Sequence, residues 1–128
     1  MGKRCDVRRR AKNGVVIRFD PGIAWAAGFF EGEGTITRSS GRLVVRLNNT
    51  DPEPVNRFAA ILAFGTVYGP YQYEGRDGYK RKPFWVWLAE EYEALEVLEL
   101  LWPWLSDKRR AQALALAPIE AILLGSTE

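Results

Sequence analysis

The sequence predicts a single α+β domain built in the order α-β-β-α-β-β-α-α. Three observations predict it. The chain has 128 residues, the size of one compact domain. Its apolar periodicity changes from helical spacing to strict alternation at Gly34, returns to helical spacing after Asn49, and then repeats the change. Nearly half of the residues are apolar, and five Trp, five Tyr and six Phe are enough to fill a core without disulfides or structural metal.

Residues 1–19 read as a basic N-terminal arm, separate from the domain over 20–128. Arg8, Arg9, Arg10 and Lys12 have no apolar partners nearby, and Val15, Val16 and Ile17 suit a short strand or surface packing. Such an arm either tracks phosphates or is disordered. Asp20-Pro21 then reads as a helix start, a capping carboxylate before Pro at the first helical position. The helix runs to about Gly32. Ala24, Gly28 and Gly32 recur every fourth residue with Ala27 beside them, so one face lacks bulk and admits a second backbone. Trp25, Phe29 and Phe30 lie elsewhere on it and anchor it in the core.

Thr35, Ile36, Thr37 and Arg38 form the first expected strand, with Ser39-Ser40-Gly41 as its turn. In the second, over 42–48, Leu43, Val45 and Leu47 face the core, while Arg42, Val44, Arg46 and Asn48 face outward. Thr50 or Asp51 caps a helix to about Ala63, with Val55, Phe58, Ala59 and Leu62 on its apolar side. A second strand pair is expected near 67–73 and 79–88. Pro70 and Pro83 make those strands edges or irregular, and Trp85 and Trp87 point to the core. Tyr68, Tyr71 and Tyr73 are assigned to sheet packing in preference to stacking. A helix over 90–102 stops at Pro103, another runs over 107–116, and 119–124 adds a short final turn.

Composition narrows the chemistry. With no His and one cysteine, Cys5, soft-metal sites and Ser–His or Cys–His nucleophiles are excluded, and any metal is a hard ion on carboxylates. The lone Cys and the lack of an apolar stretch after the basic N-terminus lead to the expectation of a reducing, cytoplasmic setting, not secretion. No apolar run reaches the roughly 18 residues of a membrane span. The net charge of +2 hides a segregation. Residues 1–50 hold ten Lys/Arg against four Asp/Glu, and residues 83–107 hold six Asp/Glu and no Lys or Arg. Such a split either points one face at a polyanion or solubilises the surface.

The segment Ala26-Ala27-Gly28-Phe29-Phe30-Glu31-Gly32-Glu33-Gly34 resembles the LAGLIDADG motif of homing endonucleases. Leu47-Asn48-Asn49-Thr50-Asp51 is similar to the family's strand end before its second helix, and Phe64-Gly65-Thr66-Val67 to its helix-to-strand turn. The segment from Leu101 to Arg109 is similar to its Pro-aromatic-Leu stretch followed by a basic residue. The resemblance spans about 23–116 with its elements in order. It implies a saddle of four antiparallel strands with helices on the convex face. One motif implies a homodimer on a near-palindromic target, with Ala24, Ala27, Gly28, Glu31 and Gly32 at the interface. The activity it implies is site-specific cutting of double-stranded DNA with Mg²⁺ or another hard cation such as Mn²⁺. Neither a membrane nor a small-molecule substrate is implied.

The resemblance makes Glu33 a metal ligand, assisted by the Gly32 carbonyl. Asn49 takes the place of a residue that organises water, and Lys108 that of the basic residue near the scissile phosphate. Glu31 falls at the motif's structural acidic position. The family often has Asp where this chain has Glu33. Thr35, Thr37, Arg38, Arg42, Val44, Arg46, Lys80 and Lys82 are the expected DNA contacts. Two other readings compete with a nuclease. One is a non-cutting nucleic-acid binder on the same scaffold, a maturase or a regulator. The other is an unrelated α+β domain that binds a protein.

Overall fold

The computed structural model describes residues 7–10, 16–75, 77–79 and 81–116. Two elements lie within the N-terminal arm. Strands β1 (Val7–Arg10) and β2 (Val16–Phe19) pair antiparallel as a separate two-stranded ribbon. The remainder of the arm, Lys80 and the final turn expected over 119–124 lie outside the described residues.

The domain that follows keeps the expected order. Helix α1 (Pro21–Glu33) leads into strands β3 (Gly34–Ser39) and β4 (Arg42–Asn49). Helix α2 (Pro52–Leu62) then leads into β5 (Thr66–Tyr71) and β6 (Phe84–Glu90). Helix α3 (Tyr92–Leu101), a short 3₁₀ turn (Trp102–Trp104) and helix α4 (Asp107–Leu116) complete it. The four strands form one antiparallel sheet in the order β3-β4-β6-β5.

Local chemistry sets each boundary. The Asp20 carboxylate accepts hydrogen bonds from the Gly22 and Ile23 amides at 2.9 and 3.2 Å, and Pro21 follows at the first helical position. Asp51 caps α2 in the same way, accepting from the Glu53 amide at 3.0 Å ahead of Pro52. β6 starts at Phe84, later than expected, because Pro83 lacks the N–H that would extend the ladder. Residues 77–79 form a turn in which the Asp77 carboxylate accepts from the Tyr79 amide. Glu90 belongs to β6 and not to the next helix. Glu91, at φ 54, turns the chain before α3 begins. Pro70 sits on the edge strand β5, where the register shifts between Tyr68 and Tyr71.

Strand alternation divides the sheet into two faces. Ile36, Leu43, Val45, Leu47, Trp87 and Ala89 join one core with Phe30 of α1, Phe58 of α2, Leu98 of α3 and Ala113 of α4. Among the described residues, all four helices therefore cover one face and leave the other open. Phe58 packs edge-on against Trp87 at 4.8 Å between centroids and stacks against Phe30 at 6.4 Å. The Trp87 indole N–H donates to the Phe64 carbonyl at 2.9 Å, so its burial leaves no orphan polar group. Gly65, at φ +81, lies so close that a Cβ there would meet the Trp87 Nε1 at 2.5 Å.

Gly34 fixes the junction between α1 and the sheet. A Cβ at this position would overlap the ring of Phe30, which is fully buried. Burying that Phe contributes about 1.5–3 kcal/mol. Gly34→Ala forces the ring off its site, and overpacking of this kind costs about 1–3 kcal/mol. Urea denaturation should show a lower midpoint with an unchanged slope. A midpoint equal to wild type would show that the contact is not tight.

Candidate nucleic-acid interface

Glu33 is the last residue of α1 and Gly34 the first of β3, so no loop separates the helix end from the sheet. The carboxylate is exposed, and among the described residues it forms no hydrogen bond or ion pair. A helix C-terminus carries partial negative charge, so this end of α1 favours a cation. Two grooves meet at Glu33. One, of about 540 Å³, is lined by Asn48, Asn49, Thr50, Tyr73, Arg81, Lys82 and Phe84 besides Glu33. The other, of about 350 Å³, runs over Thr35, Thr37, Arg46, Leu47 and Asn48.

Cross-strand register explains the second groove. Thr35 pairs with Arg46 and Thr37 with Val44, so these residues share the open face with Arg42 and Asn48. Arg46 is exposed, and the Thr35 hydroxyl donates to the Arg46 carbonyl at 3.4 Å. Arg42 reaches Glu90 and Glu91 at 3.7 and 3.8 Å, an exposed pairing that leaves it open to exchange with a phosphate. Val44 lies between Thr37 and Glu90 in register and is only 7% exposed, so it offers little surface to a ligand. Arg38 does not belong to this row. Alternation turns it to the helix side, where its guanidinium donates to the carbonyls of Gly41 and Leu116 at 2.8 and 2.9 Å.

The acidic pair of α1 divides in role. Glu31 faces α4, and its carboxylate accepts the Ser106 amide at 2.6 Å while its carbonyl accepts from Arg109 at 3.0 Å. The Arg109 guanidinium also lies 5.5 Å from the centre of the Phe30 ring. Ser106 in turn caps α4 through its hydroxyl, which accepts the Arg109 amide. Glu31 therefore ties the start of α4 to the end of α1. Lys108 is exposed in the first turn of α4, and the two grooves at Glu33 are lined without it. Asn49 uses its side-chain oxygen to accept the Asp51 amide at 2.9 Å, which leaves its NH₂ directed to other partners.

Along α1, Gly28 and Gly32 are exposed, and a Cβ built on either meets no atom within 4 Å. Ala24 is half-buried on the same row. Ala27 lies in the chain's own core at 1% exposure and is not on the exposed row. Arg57 of α2 covers the Trp25 ring at 4.1 Å from its centroid.

Three features were not read from the sequence. Arg81 and Tyr73 line the groove with Glu33, held near each other by the Arg81 amide donating to the Tyr73 carbonyl at 2.8 Å. Arg81 sits inside a visible basic cluster, which was its only signal. Tyr68, Tyr71 and Tyr73, assigned to packing, are exposed by 44, 47 and 59%. The shifted register around Gly69 and Pro70 places Tyr71 opposite Phe84 on the open face.

A four-stranded antiparallel sheet with α1 running straight into its edge strand, and helices on one face of it among the described residues, is a fold this chain shares with a homing endonuclease. The chain superposes on the homing endonuclease I-CvuI in complex with its target in the presence of calcium, with a TM-score of 0.52 and 22% identity. It superposes equally on I-CvuI in complex with an I-CreI target in the presence of magnesium, in which the DNA is not cleaved, with a TM-score of 0.51 and 22% identity. Each superposition covers 73% of this chain and 62% of the I-CvuI chain. No family model and no curated protein sequence matches the chain. The likeness supports the LAGLIDADG resemblance at the level of fold.

Among the described residues no group of three or more His, Cys, Asp or Glu converges, and no helix is long and apolar enough to cross a membrane. Among the described residues the chain thus presents a single free carboxylate at the grooves. That donor set suits a hydrated hard cation that takes few protein ligands, and not an all-protein cage.

Glu31→Ala removes the acceptor for the Ser106 amide. It should lower stability by about 0.5–2 kcal/mol, the range of a lost helix cap, with Glu31→Gln losing less because its amide oxygen still accepts. Equal losses for Ala and Gln in chemical denaturation would contradict the hydrogen bond.

Proposed function

We propose that the protein is a site-specific endonuclease for double-stranded DNA, acting as a homodimer on a near-palindromic site. The observation that carries the reading is the placement of Glu33. A free carboxylate at a helix C-terminus opens onto grooves whose lining includes Arg46, Arg81, Lys82, Asn48 and Asn49. Cationic and amide groups around one acid suit a phosphodiester, which needs positive charge along its oxygens and one anionic point for a cation.

On this reading the open face lies against the major groove. Arg46, Thr35, Thr37 and Asn48 meet base edges and phosphates, while Arg42, Lys80 and Lys82 hold the backbone. Arg81 joins Lys82 in the wall of the groove that Glu33 also lines. Glu33 and the Gly32 carbonyl would hold the divalent cation, Mg²⁺ or Mn²⁺. When bound, such a cation supplies Lewis acidity and a water of lowered pKa. The NH₂ of Asn49 orients water in the groove, and Lys108 contacts a phosphate from the start of α4.

A second copy of the chain supports the same chemistry. The first ten residues of α1 carry no charge, and their exposed side has Gly28 at its centre. Two such helices can approach backbone to backbone. Two Glu33 carboxylates at adjoining helix ends would repel each other, and binding of a divalent cation would relieve that repulsion.

Glu33→Gln keeps the shape and removes the charge. Cleavage of a cognate duplex in Mg²⁺ should fall to background, while affinity is kept or rises because one negative charge near a polyanion is gone. Cleavage by Glu33→Gln at the wild-type rate would refute the role of this carboxylate. Tight cation-independent binding of structured RNA by wild type, with no duplex cut, would favour a non-cutting binder on the same scaffold.

A further inference from the structure

The open face is chemically uneven. Its β3–β4 half carries Arg42, Arg46 and Asn48, whereas neither β5 nor β6 contains a single Lys or Arg. On the β5–β6 half, Tyr68, Tyr71, Phe84, Val86 and Leu88 line a hollow of about 340 Å³ that borders Arg46. These residues stand there by register. Tyr68 pairs with Val86, Tyr71 with Phe84, and Leu88 lies between Arg46 on one side and Thr66 on the other. Tyr68 and Tyr71 are 44 and 47% exposed, and the Tyr71 and Phe84 rings lie 5.7 Å apart. This surface cannot attract phosphates, yet it is continuous with a face flanked by Arg46, Arg81 and Lys82.

From this juxtaposition we infer that the Tyr68–Tyr71–Phe84–Leu88 hollow, floored by the buried Val86, is a thymine-reading subsite, which takes the 5-methyl group of a thymine in the major groove next to a base pair read by Arg46. The inference rests on the DNA-binding reading above. The flanking cations suit a polyanion, and the thymine methyl is the apolar group that a B-form major groove displays. Arg46 has paired donors that suit the O6 and N7 of guanine. Leu88 sits on the adjacent strand, about 4.8 Å away, against a base-pair rise of about 3.4 Å. The thymine therefore falls one or two base pairs from the guanine.

The test uses the full chain in EDTA, where duplexes are bound without cation-dependent cutting. Duplexes are selected from a randomised library, and each thymine of the winners is then replaced singly by deoxyuridine, which lacks only the methyl group. Thymine should be enriched at a fixed position beside a guanine, and deoxyuridine there should weaken binding about fourfold, the affinity equivalent of one buried methyl. Leu88→Ala and the exposed Tyr68→Ala should each bring the ratio of thymine to deoxyuridine affinity toward one, and an unchanged ratio in both would overturn the subsite. Enriched duplexes with no fixed thymine, or with equal affinity for thymine and deoxyuridine, would overturn the subsite while leaving DNA binding intact. Failure to enrich any duplex would overturn the DNA-binding reading as well, and would leave the hollow to a protein partner.

Discussion

The packing of Phe30 against Gly34 is the constraint on which the rest depends. Helix α1 ends and β3 begins without an intervening residue, so the chain turns from helix to strand under the Phe30 ring. Only a residue without a Cβ fits beneath that ring. Phe30 in turn stacks on Phe58, and Phe58 packs edge-on against Trp87, so one aromatic chain links α1, α2 and β6. The same turn sets the directions of the two acids beside it. Glu31 is carried toward α4 and Glu33 toward the open face. A single steric requirement thus orients both acids, one toward α4 and one toward the grooves.

Strand alternation does the remaining sorting. Because side chains alternate, Leu43, Val45 and Leu47 enter the core while Arg42, Arg46 and Asn48 emerge on the uncovered side. With all four helices on one face, the other is left free for a ligand the length of the sheet. The charge on it is uneven, cationic over β3–β4 and apolar over β5–β6, and on the proposed DNA-binding role the apolar half would add a methyl contact beside the base and phosphate contacts of the cationic half. Phosphate contacts position a duplex, and contacts to base edges specify it.

Much of this was legible in the sequence for identifiable reasons. Asp20-Pro21 and Asp51-Pro52 are strong local start signals, and both cap helices as read. The alternation of 42–48 is regular, and its core face came out as expected. The β5–β6 region was less legible, because Pro70, Pro83 and the turn at 77–79 break the period. The ends of these strands shifted, and the tyrosines moved from packing to exposure. Arg38 was misplaced because its neighbours' polarity hid the alternation that turns it to the carbonyls of Gly41 and Leu116. Ala27 looked like part of the small face, but helical geometry turns it inward beside Ala26 and Phe30. Lys108 is placed by tertiary contacts of α4 with Glu31, which no local pattern encodes.

The central claim is that Glu33 works from the end of a helix that meets its own copy. Gly28 is the direct probe, since it is exposed and has open space around it, so added bulk leaves the protomer's own packing alone. Sedimentation equilibrium of wild type and Gly28→Leu, each checked for folding by circular dichroism, measures the consequence. The account predicts a dimeric wild type and a folded but monomeric Gly28→Leu. A monomeric wild type at concentrations that cut DNA, or an undiminished dimer in Gly28→Leu, would contradict it.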